Sequence, residues 1–68
     1  MKVIFKERLK ELRLEKGLTQ KQLGAVFNLR QFTISDWETR GCEPNYQMLV
    51  ELATYFGVTT DYLLGKEN

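Results

Sequence analysis

The chain has 68 residues, of which 43% are hydrophobic, and this length allows one compact domain with an apolar core. It contains one cysteine and no histidine, which excludes an internal disulfide and makes a structural zinc site improbable. The net charge is only +1, but residues 1–40 carry nine Lys/Arg and five Asp/Glu, whereas residues 41–68 carry one and four. A basic N-terminal part and an acidic C-terminal part are typical of a protein that binds a polyanion with one side. A short chain can also acquire this asymmetry by chance.

The chain shows no targeting or membrane signal. An uninterrupted run of only three apolar residues, at 3–5, precedes the charged run at 6–8, unlike the longer apolar region of a signal peptide. Uninterrupted apolar stretches of two or three residues are far too short to cross a membrane. We therefore expect a cytoplasmic protein, in which a free thiol at Cys42 is ordinary. A redox switch at Cys42 is the less favoured alternative.

The first predicted helix covers about residues 4–16, because Phe5, Leu9 and Leu12 recur at helical spacing. Gly17 follows as a left-handed helix end. A second helix of about eight residues opens at Thr19, which forms a capping-box pattern with the glutamine three residues later. It ends near Asn28, and its predicted inner face consists of Leu23, Val26 and Phe27.

The third predicted helix covers about residues 31–39, with Ile34 and Trp37 facing inward. The turn before it is so short that the second and third helices must cross at a steep angle. Gly41 and Pro44 then place a loop after this helix.

Two further helices complete the predicted fold. A fourth over residues 46–56 is capped by Asn45 and closed by Gly57, and a short fifth over about 60–64 ends at Gly65. No segment alternates with period two, so the sequence predicts an all-α bundle of five helices.

The exposed face of the third helix differs from that of the first. The first helix carries Lys and Glu, as a solvated face commonly does, whereas the third carries Arg30, Gln31, Phe32, Ser35, Asp36 and Thr39. Amide and guanidinium groups can hydrogen-bond to base edges, and an exposed Phe32 can contact a thymine methyl group. This contrast favours a recognition helix. The alternative places Phe32 in the core, but its spacing puts it off the face of Ile34 and Trp37.

Several motifs occur in a fixed order, namely TQKQLG at 19–24, TISDWE at 33–38, Pro44, Leu52-Ala53 and GVTTDYLLG at 57–65. None is specific alone, but the ordered set covers about residues 6–65 and resembles the phage repressor and Cro family, also called the xenobiotic-response-element family. The resemblance implies a five-helix domain of the lambda-repressor type, with a helix-turn-helix at about 19–39. It further implies dimeric operator binding with the third helix in the major groove.

The resemblance also implies individual roles. The base-reading positions are Gln31, Phe32, Ser35 and Asp36. The positions that contact phosphate or the DNA backbone are Gln20, Lys21, Arg30, Thr33, Arg40 and Asn45, and the helix N-terminus at Gln20 favours anions. Arg13 and Glu38 correspond to a partly buried salt bridge between the first and third helices, and an ion on an apolar face must be paired.

Some residues depart from the family pattern. Arg30 replaces the usual Ser or Thr cap, Arg40 stands where a glycine is usual, and Gly24 replaces an alanine, both being small enough for close helix approach. Asp36 would be repelled by phosphates. We expect it either to accept from a cytosine amino group or to fold back onto Arg30, Arg40 or a nearby amide.

The expected partner is double-stranded, pseudo-palindromic operator DNA, bound by a homodimer across half-sites about 34 Å apart. The dimer contact would use the domain itself, and its candidate residues, each of which could equally be core, are Val3, Ile4, Val58, Tyr62 and Leu63. The predicted function is that of a transcriptional regulator, most simply a repressor, with no metal, cofactor or small-molecule ligand. A module kept for protein contact, such as an antitoxin, is the alternative, and an enzyme has almost no support.

Overall fold

The computed structural model describes residues 4–40 and 42–66, and within these ranges the chain forms five helices and no strand. The helices are α1 (Ile4–Glu15), α2 (Gln20–Val26), α3 (Gln31–Thr39), α4 (Tyr46–Phe56) and α5 (Thr60–Leu63). The predicted all-α, five-helix fold is confirmed, with boundaries that agree for α3 and α4 and differ by one or two residues for the other helices. The roles suggested for Val3 and Gly41 lie outside the described residues.

Local sequence signals set the helix ends. The Thr19 hydroxyl accepts from the Gln22 amide at 3.0 Å, and the Gln22 side chain accepts from the Thr19 amide at 2.9 Å, which confirms the capping box. Asn28 adopts a left-handed φ of 62° in the turn between α2 and α3. These two signals fix where α2 begins and where the chain turns into α3.

The core lies between all five helices. Its buried apolar residues are Phe5, Leu9, Leu12, Leu23, Ile34, Trp37, Leu49, Leu52, Ala53 and Leu63. Phe5 and Trp37 meet edge to face with their ring centroids 6.5 Å apart, and this contact joins α1 to α3. Among the described residues, no helix has both the length and the apolar character that a membrane span requires.

The inner face of α2 differs from the prediction. Leu23 and Gly24 are buried, but Val26 is 45% exposed and Phe27 is only partly buried. Each helical residue advances the side chain by about 100°, so a face centred between Leu23 and Gly24 leaves Val26 roughly 110° away. The prediction that Val26 faces inward was therefore wrong.

Gly24 also has a stricter role than the sequence indicated. A Cβ atom at this position would lie 2.7 Å from the Leu29 carbonyl oxygen, which is a backbone atom that cannot swing aside. The Leu29 amide donates to the Gly24 carbonyl at 2.7 Å, so the turn closes directly onto α2. The expectation that either glycine or alanine permits this close approach does not hold for the described backbone, in which a Cβ atom at position 24 requires the Leu29 carbonyl to shift.

Candidate nucleic-acid interface

Helix α3 is buried on one side and open on the other. Ile34, Trp37 and Glu38 are buried, whereas Gln31 is exposed and Phe32 is 68% exposed. Phe32 is therefore not a core residue, and the core alternative for it is excluded. The other two predicted base-reading residues, Ser35 and Asp36, are partly exposed on the same helix.

A bidentate ion pair fastens the buried side of α3 to α1. Arg13 donates from Nε to Glu38 Oε2 at 2.7 Å and from Nη2 to Oε1 at 3.0 Å. The Arg13 and Glu38 side chains are only 8% and 2% exposed. Nη1 of Arg13 donates to the Leu18 carbonyl at 2.7 Å, so the guanidinium also holds the loop that leads into α2. Burial is tolerated because both charges are paired and hydrogen-bonded.

Gln20 extends this buried pair toward the outer face of α3. Its side-chain Nε2 donates to Glu38 Oε1 at 3.1 Å, and its Oε1 accepts from Gln31 Nε2 at 3.5 Å. The family resemblance implied a phosphate contact for Gln20. It did not indicate that the Gln20 carboxamide bridges Glu38 and Gln31. The signal available was the pair of glutamines that open α2 and α3. The chain Arg13, Glu38, Gln20 and Gln31 thus runs from the interior to a predicted base-reading residue.

Asp36 folds back onto Arg40, which is one of the two outcomes expected for it. Arg40 Nε lies 3.5 Å from Asp36 Oδ1, one helical turn away. The Arg40 side chain is 70% exposed and that of Asp36 is 27% exposed, so the pair is on the surface.

The other residues assigned to phosphate lie at the ends of α2 and α3 and in the following loop. Lys21 and Arg30 are exposed, and Thr33 is partly buried. Arg30 occupies the N-cap of α3 without a side-chain cap hydrogen bond, as its side-chain chemistry predicts. Asn45 is exposed but uses its Oδ1 to accept from the Met48 amide at 2.9 Å, so its side chain already caps α4.

The residues suggested for a dimer contact do not share one environment. Leu63 is fully buried in the core, so the core alternative stated for it is confirmed and it is not available for a dimer contact. Ile4, Val58 and Tyr62 are partly buried. Tyr62 is also held by Arg8, whose guanidinium lies 3.9 Å from the ring centroid and donates to the Tyr62 carbonyl at 2.9 Å. No sequence pattern predicted this link between α1 and α5.

No metal-binding arrangement occurs in the part of the chain that the structure describes, where no three His, Cys, Asp or Glu residues come together in a suitable group. Cys42 is exposed and unpaired with another cysteine.

A family model described as helix-turn-helix matches residues 9–63, which is most of the chain. The chain belongs to this helix-turn-helix family, of the Cro and C1 type. The relatives of this chain are DNA-binding transcription regulators and not enzymes.

Curated relatives of this helix-turn-helix protein include the HTH-type transcriptional regulator ImmR of Bacillus subtilis, which is 38% identical over 90% of the chain and 48% of its own length. The HTH-type transcriptional activator BcrR of Enterococcus faecalis is 40% identical over 93% of the chain and 31% of its own length. The chain therefore spans half or less of the length of these two relatives.

A solved structure of the P22 c2 repressor protein in complex with a synthetic operator is also similar. It has a TM-score of 0.83 and 30% identity, with 94% of this chain and 97% of that chain covered. The two helix-turn-helix domains therefore share one fold over nearly their whole lengths.

Proposed function

We propose that this helix-turn-helix protein is a dimeric transcriptional repressor that binds double-stranded operator DNA with α3 in the major groove. The observation that carries the proposal is the outer face of α3, where Gln31 and Phe32 are exposed while the opposite face is fixed to the core. A reading helix must be held rigidly, and the Arg13–Glu38 pair supplies that support. The P22 c2 repressor, whose structure contains operator DNA, has the same fold.

Base recognition would begin at the N-terminal end of α3, which enters the groove first in this motif. Gln31 suits adenine, because its carboxamide can bond to N6 and N7 together, and Phe32 suits a thymine methyl group. Ser35 and Asp36 follow one turn later and complete the predicted reading face. The Gln20 contact limits the orientations of Gln31 before DNA is bound, which lowers the entropy cost of recognition.

Backbone contacts would surround this face. Lys21, Arg30 and Arg40 supply three cations, all exposed. The amides at the start of α2, near Gln20, and the partly exposed Thr33 add neutral donors, since the first N–H groups of a helix have no partner within it. The exposed Asn45, although its side chain caps α4, lies beside the N-terminal amides of that helix.

Dimerisation would place two copies of α3 about 34 Å apart on one side of the duplex. With Leu63 excluded, the candidate contact in the described chain consists of the partly exposed Ile4, Val58 and Tyr62. Sedimentation of the protein with and without its site tests this element of the proposal. A single bound copy per operator would contradict it.

Repression and activation differ in where the protein binds relative to a promoter. The similar P22 c2 protein is named a repressor and the relative BcrR an activator, so transcription from a template that carries the selected site tests this element. We expect transcript levels to fall as protein is added. A rise would contradict repression without contradicting DNA binding.

Two alanine variants test the reading face directly. Gln31→Ala should relax base preference at one half-site position, by about 1–3 kcal/mol, because its bidentate contact is lost. Lys21→Ala is the matched control, since loss of a phosphate contact weakens binding to all sequences about equally. Binding is measured against a panel of single-base variants of the selected site. Unchanged preference in Gln31→Ala would mean that α3 does not read the bases.

A further inference from the structure

A carboxylate lies on the face of α3 that is proposed to read DNA. Phe32, Asp36 and Arg40 follow one another at intervals of four residues, so their side chains form one line along the helix. The Phe32 end of this line is 68% exposed, and the Asp36 side chain is 27% exposed. An acid in this position opposes binding to a polyanion unless its charge has a specific partner.

Arg40 is one partner for the negative charge of Asp36. Its Nε lies 3.5 Å from Asp36 Oδ1, and its side chain is 70% exposed. A guanidinium has five N–H donors in a planar fork, so the Nη groups can bind a phosphate while Nε faces the carboxylate. Arg40 also lies about 6 Å further along the helix axis than Asp36. One arginine can therefore bridge the carboxylate to the DNA backbone and offset its repulsion.

The four base pairs offer different edges to such a carboxylate. An ionised carboxylate can only accept hydrogen bonds. In the major groove, guanine presents acceptors at N7 and O6, thymine presents O4, and adenine places the N7 acceptor beside its amino group. Cytosine alone presents an amino donor without an acceptor. The carboxylate thus matches cytosine and is repelled to some degree by each of the other bases.

We infer that Asp36 is a specificity-determining residue that selects a cytosine in each half-site, with Arg40 linking its carboxylate to a nearby phosphate. This inference rests on the proposed function, because it requires α3 in the major groove. Asp36 and Arg40 form a surface pair outside the apolar core, so substitutions at either position should leave the fold intact. Specificity can therefore be measured on folded variants.

The test is selection of bound duplexes from random DNA by the wild-type chain and by Asp36→Asn, Asp36→Ala and Arg40→Ala. The wild-type consensus should contain one cytosine per half-site that becomes adenine in Asp36→Asn, since asparagine bonds to N6 and N7 of adenine. The same position should become degenerate in Asp36→Ala. Arg40→Ala should keep the cytosine while binding all sequences more weakly. Replacing that cytosine should weaken wild-type binding by about tenfold or more.

Thr54→Ala serves as the matched control, because Thr54 is exposed on α4, outside the proposed reading helix, and bonds only to the Val50 carbonyl in the contacts described, at 2.9 Å. It should leave the cytosine unchanged. The inference is overturned if the cytosine persists in both Asp36 variants. It is also overturned if the position sensitive to Asp36 is another base in the wild-type consensus. Either result leaves the proposed function standing. Failure of the wild-type chain to enrich any sequence overturns the proposed function itself.

Discussion

Helix α3 carries two ion pairs with the same chemistry and opposite surroundings. Glu38 and Arg13 are 2% and 8% exposed and join α3 to α1, whereas Asp36 and Arg40 are 27% and 70% exposed and lie on α3 and at its C-cap. A buried pair cannot lose one partner without leaving an uncompensated charge. A surface pair contributes little to stability, so its members are available to bind something else. The buried pair therefore fixes α3 in the fold, whereas the surface pair is available for DNA recognition.

The largest expected effect is that of Arg13→Ala, which leaves the Glu38 carboxylate buried without its cation. We expect the free energy of unfolding to fall by about 3–5 kcal/mol. In a domain of this size, that change lowers the melting temperature by about 12 °C or more. Thermal unfolding followed by circular dichroism measures the loss. An unchanged melting curve would show that the buried pair does not hold α3.

A smaller effect is expected for Gln20→Ala, which removes one donor from Glu38 and the acceptor for Gln31. A hydrogen bond to a charged group contributes about 1.5–3 kcal/mol, and we expect a loss near the lower limit because Arg13 stays in place. Discrimination between the selected site and a scrambled duplex should also decrease. The exposed neighbour Lys21→Ala is the control for stability. Equal unfolding free energies for the two variants would refute the link.

Gly24→Ala tests the close approach behind the turn. Overpacking costs about 1–3 kcal/mol, and the better helix propensity of alanine returns up to about 1 kcal/mol, so we expect a net loss of about 1 kcal/mol. Denaturant unfolding provides the measurement, with the exposed Ala25→Gly as a propensity reference. A gain in stability from Gly24→Ala would mean that the Leu29 backbone moves aside at little cost.

The smallest effect on stability is expected for Arg40→Ala. An exposed i,i+4 pair contributes about 0.3–0.5 kcal/mol, so the unfolding free energy should change by less than about 1 kcal/mol. Chemical denaturation of this variant beside Arg13→Ala compares the two arginines directly. A comparable loss of unfolding free energy in both variants would remove the distinction between the buried Arg13–Glu38 pair and the surface Asp36–Arg40 pair.

Much of the fold could be predicted from the sequence because it depends on local signals. The capping box at Thr19, the left-handed Asn28 and the helical spacing of Phe5, Leu9 and Leu12 each act within one turn of the chain. The exposure of Phe32 followed from its spacing to Ile34 and Trp37 in the same way.

The features that could not be predicted depend on contacts between segments. The exposure of Val26 and the lack of space at Gly24 are set by where α3 and the turn lie against α2. The bridge made by Gln20 joins two helices through side-chain torsions that no sequence pattern specifies. The burial of Leu63 likewise depends on how α5 docks against the rest of the core.

The most direct test of whether α3 binds operator DNA, with basic side chains around it contacting phosphates, is the salt dependence of DNA binding. Lys21, Arg30 and Arg40 give six cations in a dimer, so log K should fall against log salt concentration with a slope of about −5. At physiological salt the selected site should bind at least about a thousandfold more tightly than a scrambled duplex. A slope near zero, or equal binding to both duplexes, would contradict the account and favour a module kept for protein contact.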